Sequence, residues 1–139
     1  MKHADFMQVA LEEALLAAQE GEIPVGAVLV IDDEIIARAH NMRETTHDAT
    51  AHAEVLAIRD ACRKIKNWRL GDAVIYVTLE PCPMCAGAIV QARIPKVHIG
   101  CMNPKAGCAG SVIDLFHPIP FLNGGLFECL DQENDEGKV

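Results

Sequence analysis

Aromatic side chains are scarce in this 139-residue sequence, at 4% of positions, with one Trp and one Tyr. A core must therefore be packed from Val, Ile, Leu and Ala, and with half of the residues hydrophobic there are enough of them. No apolar run approaches the roughly 18–20 residues that span a bilayer. The N-terminus, Met1-Lys2-His3-Ala4-Asp5, has no hydrophobic signal region. These absences predict a soluble, cytoplasmic chain with no membrane partner. The length leaves room for one core.

Positive charge is lacking as well. The formal net charge is −8, and from Glu128 onward five acids face a single base, Lys138. A polyanionic partner would have to meet a local basic patch, not a basic protein. No disulfide framework is evident either. Cys62, Cys82, Cys85, Cys101, Cys108 and Cys129 are irregularly spaced in a chain with a full hydrophobic inventory. Metal ligation for a pair of them, and burial for the rest, fits that pattern better.

Residues 5–20 place Phe6, Ala10, Ala14 and Ala17 at helical spacing, and Gly21 and Pro24 stop the helix. Residues 25–31 read as a buried strand, Asp32-Asp33 as a turn, and 34–39 as the hairpin partner. A second helix is expected from about Thr50 to Lys64, and a strand over Val74–Thr78. Pro81 would open a third helix over about 82–92, followed by a strand at 96–100. Alternation of this kind predicts an α/β fold, a three-layer α/β/α sandwich around a mixed sheet of about five strands. After about Phe116 the pattern fails among Pro118, Pro120 and Asn123-Gly124-Gly125. Residues 1–120 are therefore read as the catalytic domain and 121–139 as a divergent, acidic, partly disordered segment.

Two motifs carry chemistry: His52-Ala53-Glu54 and Pro81-Cys82-Pro83-Met84-Cys85. A Cys-x-x-Cys alone also suits a redox pair, but a redox pair needs no upstream His-x-Glu. Residues three apart on a helix share a face, so both sulfurs can reach one ion. A helix N-terminus helps to hold them as the thiolates that bind metal. With His52 the set leaves tetrahedral zinc one ligand short, the mark of a catalytic site. A structural zinc closed by Cys101, Cys108 or His98 is the alternative, and it leaves Glu54 unexplained. Glu54 could move protons between water, a ring nitrogen and a leaving amine. Both His52 and Glu54 can aim inward only if the first helical turn is irregular. Glu80 is a rival carboxylate, better read as a strand-end or capping residue.

The sequence resembles the bacterial tRNA-specific adenosine deaminases of the cytidine/deoxycytidylate deaminase superfamily, whose His-x-Glu…Pro-Cys-x-x-Cys signature it carries. The likeness runs over roughly residues 5–116. It includes Pro24–Val28, Asn41, Thr50–Glu54, Tyr76–Cys82, Met84–Ile89 and Lys105–Ser111. The resemblance implies a cytidine-deaminase-like fold, a homodimer, and adenosine-to-inosine conversion at the wobble position of a tRNA anticodon stem-loop. It also implies one Zn²⁺ per subunit held by His52, Cys82 and Cys85, with Glu54 catalytic. Asn41, Val25 and Ala53 would bind the base, and Lys105 and Asn103 would lie near the sugar-phosphate.

Three departures qualify that carry-over. Asp48-Ala49-Thr50 replaces the family's Asp-Pro-Thr, and Asn103 stands where Asp is common. The amide removes a negative charge near the sugar, which predicts looser discrimination against single-stranded DNA or other single-stranded nucleic acid. The segment after Phe116 does not align with the family's final strand and basic helix. Fewer phosphate contacts predict weak, strongly salt-sensitive tRNA binding. Two other readings remain open: a deaminase of cytosine, guanine or a free nucleoside, and a non-catalytic zinc-stapled interaction module.

Overall fold

The computed structural model describes residues 3–111, Leu115 and residues 127–129. A five-stranded sheet runs in the order β2-β1-β3-β4-β5. Strands β1 (Gly26–Ile31) and β2 (Glu34–His40) form an antiparallel hairpin. Its two turn residues, Asp32 and Asp33, both take positive φ, the conformation whose twist suits a two-residue hairpin. β1 also pairs antiparallel with β3 (Ala73–Val77), which pairs parallel with β4 (Lys96–Ile99).

Strand β5 (Phe127–Cys129) adds parallel to β4. The sheet thus takes a strand from beyond residue 120, within the segment read as divergent. The remainder of 121–139 lies outside the described residues. Three residues, Phe127-Glu128-Cys129, are too few to carry a strand's alternation in the sequence.

Both faces of the sheet are covered, in accord with the expected sandwich. On one face Val28, Val30 and Tyr76 pack against Phe6, Met7 and Ala10 of α1 (His3–Gln19). On the other, Ala27, Leu29, Ile75, Val77, Val97 and Ile99 meet two helices, α3 (Ala53–Ile65) and α4 (Pro83–Gln91). The split follows the strand alternation of side chains. Helix α1 comes unusually close at Gly26, where a Cβ would lie 1.9 Å from the Ala10 carbonyl oxygen. Buried Ala10, Ala14 and Ala17 leave the room for that approach. A polar clasp tethers α1 to β2: Glu13 accepts hydrogen bonds from Arg38 Nε at 2.7 Å and pairs with His40 Nδ1 at 2.7 Å.

The helix starts differ from expectation. Helix α3 begins at Ala53 rather than Thr50, because Asp48 Oδ1 accepts from Thr50 N and Oγ1 and holds 48–50 as a turn. That bonding supplies the local rigidity for which proline is absent at position 49. At α4 it is Pro83, not Pro81, that occupies the first turn. A residue preceding proline is biased to extended backbone, which leaves Cys82 at ψ 174° as the N-cap. A one-turn helix, α2 (Arg43–Thr46), lies between β2 and α3.

Candidate active site

The starts of α3 and α4 meet at one end of the sheet. His52 is the N-cap of α3, with extended backbone at ψ 152°, and Glu54 is the second residue of the helix proper. That break in regularity is what the sequence demanded. It allows two residues only two apart to face the same space. Cys82 and Cys85 sit at the N-cap and third position of α4.

His52 Nδ1 lies 3.7 Å from Cys82 Sγ and 3.4 Å from Cys85 Sγ. All three ligand atoms fall within 4.8 Å of one another, the one such metal-holding group among the described residues. The donor set, one imidazole nitrogen and two sulfurs, suits zinc. The charge state suits it too. The Cys82 thiol is pulled down to about 5 by the Cys85 side chain, the Cys85 and Met84 amides and His52, against burial. Cys85 is pushed far up by its bond with Cys82 and by burial. Without an ion the pair is thus one thiolate and one thiol.

None of the three residues weighed as a fourth ligand joins the group. The Cys101 thiol is exposed and directed at the Met102 carbonyl. Cys108 points to the Ala106 carbonyl. His98 stacks on Tyr76 at 4.7 Å, and Tyr76 belongs to the α1 face of the sheet. Two facts, then, favour an open site over a closed structural one: three ligands, and a carboxylate beside them. Glu54 is 4% exposed. Burial, chiefly, raises its carboxyl to about 7, near the pH at which it would have to take and give protons.

A cavity of about 300 Å³ opens on this group. Its apolar walls are Ile23, Val25, Ala53, Leu79 and Ala106, and its polar groups include Asn41, Arg43, Glu54 and Asn103. An apolar slot with a few placed polar groups is the usual form of a small-ligand site. Of the expected substrate residues, Val25, Asn41, Ala53 and Asn103 line it. Lys105 does not; it is exposed, two residues from Asn103. Asn41 Oδ1 accepts from Arg43 N at 3.1 Å and Nδ2 donates to Ile23 O at 3.4 Å, so this amide also caps its loop. Asn103 Oδ1 accepts from Lys105 N at 3.1 Å and Ala106 N at 3.4 Å.

The sequence reading missed Ile23, Leu79, Ala106 and Arg43. Only Arg43 had a signal, as a cation two residues past Asn41 in an acidic chain. Arg43 is placed by α2, and α2 is held from a distance. Glu22, buried, accepts from Glu44 N at 3.0 Å, Thr45 N at 2.6 Å and Thr45 Oγ1 at 2.6 Å.

Residues 1–101 match the family model of the cytidine and deoxycytidylate deaminase zinc-binding region. The tRNA-specific adenosine deaminase of Bacillus subtilis is 56% identical over 110 residues, which cover 79% of this chain and 68% of that protein. The Agrobacterium fabrum protein of the same name is 45% identical over 133 residues, 92% of this chain and 88% of its own. The chloroplastic tRNA(adenine(34)) deaminase of Arabidopsis thaliana is 54% identical, but the match covers 8% of its length. Among solved structures, one from a study of A-to-I editing by tRNA:A34 deaminases superposes with a TM-score of 0.86 at 41% identity. It covers 96% of this chain and 99% of its own. A guanine deaminase from Bacillus subtilis superposes with a TM-score of 0.71 at 43% identity, over 73% of this chain and 66% of that one.

Proposed function

Because the chain belongs to the cytidine and deoxycytidylate deaminase zinc-binding family, we propose that it converts adenosine to inosine at the wobble position of tRNA. The observation that carries this reading is the buried Glu54 beside His52, Cys82 and Cys85, at the floor of a cavity with apolar walls. The names and identities of the relatives supply the base and the RNA.

His52, Cys82 and Cys85 are the residues that would hold the family's zinc, one ion per subunit. When bound, zinc supplies the Lewis acidity that makes water a nucleophile at neutral pH. The chain's own part is binding and proton movement. Val25 and Ala53 flank the base, Asn41 hydrogen-bonds its edge, and the apolar walls exclude bulk water. Glu54 takes a proton from the attacking water at a carboxylate oxygen. It gives that proton to the ring nitrogen, takes a second from the hydroxyl added to the ring carbon, and passes it to the amino group, which leaves as ammonia as the carbon–nitrogen bond breaks. Asn103 and exposed Lys105 lie toward the sugar-phosphate, with Arg43 on the opposite loop adding local positive charge.

The reading extends to the assembly and the compartment. A second copy of the chain would cover the open groove between α3 and α4, about 510 Å³, lined by Ile58, Cys62, Trp68 and Ala88. Trp68 is 54% exposed there, so a homodimer would bury a large apolar side chain. Sedimentation tests this. The five described cysteines are outside any disulfide, which fits a reducing cytoplasm, and no described helix is long and apolar enough to cross a membrane.

Inosine formation in a tRNA anticodon hairpin tests the activity. Glu54→Ala should keep zinc and fold while losing inosine formation by on the order of 10²–10⁴-fold. A second reading, deamination of guanine, is favoured by the structural likeness to a guanine deaminase. Xanthine from guanine, without inosine from the hairpin, would select it. Zinc bound with no product from any base would leave the non-catalytic module.

A further inference from the structure

A second buried carboxylate lines the same cavity and has no part in the proton path above. Glu80 is 1% exposed, two residues before Cys82. Its Oε1 accepts from Asn103 N at 2.9 Å and from Ser111 Oγ. Its Oε2 accepts from Ala109 N at 2.8 Å and Ser111 N at 3.0 Å. A carboxylate offers about four acceptor positions, and here all are used. None is left for a water or a substrate proton, in contrast to Glu54.

The loop is wrapped round this group. A Cβ on Gly107 would fall 2.2 Å from Glu80 Cδ and Oε1, so only glycine lets the backbone pass. Two further bonds lock the same joint: Glu80 N to Cys101 O at 2.8 Å and Cys108 N to Pro81 O at 2.9 Å. Asn103 and Ala106, carried by this loop, form one wall of the cavity; Cys82, on the other side of the joint, holds the metal end. Among the described residues no Lys, Arg or His forms an ion pair with Glu80, so hydrogen bonds alone balance its charge. Although burial works the other way, the Ser111 hydroxyl and the three backbone amides hold its carboxyl below the usual range.

We propose that Glu80 is a positioning residue for substrate. Its carboxylate is a clasp that fixes the Asn103–Ala106 wall at a set distance from the metal ligands, and it moves no proton in the reaction. The proposal rests on the deaminase reading for its substrate, but the clasp itself can be tested apart from turnover.

The test compares zinc-loaded parent, Glu80→Gln and Ser111→Ala. An amide at position 80 turns an NH₂ toward two donors and breaks at least two of the four bonds. Ser111→Ala removes one and guards against a fold lost in the first variant. Amide hydrogen exchange should rise at Asn103, Ala109 and Ser111 in both variants, with α3 amides unchanged. On the anticodon hairpin, KM should rise on the order of tenfold or more for Glu80→Gln and less for Ser111→Ala. Zinc content, kcat within about threefold and the pH profile should all be preserved. A collapse of kcat with KM unchanged, or a shifted pH profile, would make Glu80 a chemical participant and overturn the proposal. Unchanged exchange at all three amides in either variant would also overturn it. If the parent makes no inosine, the deaminase reading fails, and exchange alone decides the clasp.

Discussion

Metal uptake at the site should release about one proton per ion at pH 8, and the number follows from the three titrating groups. Cys82, at about 5, is already a thiolate there. Cys85, pushed up by its bond with Cys82 and by burial, is a thiol. Glu54, at about 7, is about nine-tenths ionised at pH 8 and about nine-tenths protonated at pH 6. Zinc binds both sulfurs as thiolates. At pH 8 the yield is therefore about one proton from Cys85 and about a tenth from Glu54. Titration calorimetry of the metal-free protein in buffers of different ionisation enthalpy reads the count directly. Cys85→Ser should lose most of the release at pH 8, and Glu54→Gln almost none of it. A release near two protons at pH 8 would mean that both cysteines begin as thiols, and the asymmetry argued from their mutual bond would be wrong.

Three other perturbations probe other parts of the molecule. Gly26→Ala should cost about 1–3 kcal/mol in urea unfolding, because the new methyl meets backbone atoms of α1 that cannot rotate away; an unchanged midpoint would contradict the close approach. Burial tends to lower the His40 pKa, but bonds to Glu13 and Glu20 outweigh it and raise it. Its stabilising contribution is thus fully present below the unfolded value of about 6.5 and is lost as pH rises through the folded one. Parent stability should fall above pH 6.5 more steeply than that of His40→Gln, which should be weaker by on the order of 1 kcal/mol at low pH; parallel curves would exclude His40. Asn103→Asp should raise the RNA/DNA rate ratio on matched hairpins, and an unchanged ratio would remove the argument from the missing charge.

Local patterns were legible where the signal was local. The β1–β2 hairpin rests on Asp32-Asp33, and the metal group rests on two short motifs, of which Cys82 and Cys85 have the spacing of one helix face. Helix starts were less legible, because each was decided by backbone neighbours rather than periodicity. Pro83 forces Cys82 to extend, and Asp48 holds Thr50 out of α3. Helix α2, strand β5 and the four acceptor bonds of Glu80 could not be read at all. Each depends on a partner far along the chain: Glu22 for α2, β4 for β5, and residues 103–111 for Glu80. The apolar walls at Ile23, Leu79 and Ala106 were missed for the same reason, since nothing about an isolated aliphatic residue marks it as facing a cavity.

The brace from Glu22 to Glu44 and Thr45 bears on how this protein could be re-engineered. Residues 41–46 take their shape from an acid about twenty positions upstream, so they are not a portable cassette. Transplanted into a scaffold without a matching carboxylate, the stretch would lose its single turn, and Asn41 and Arg43 would no longer be held at the cavity. Swaps intended to retune base choice should therefore move residues 22–46 as one unit.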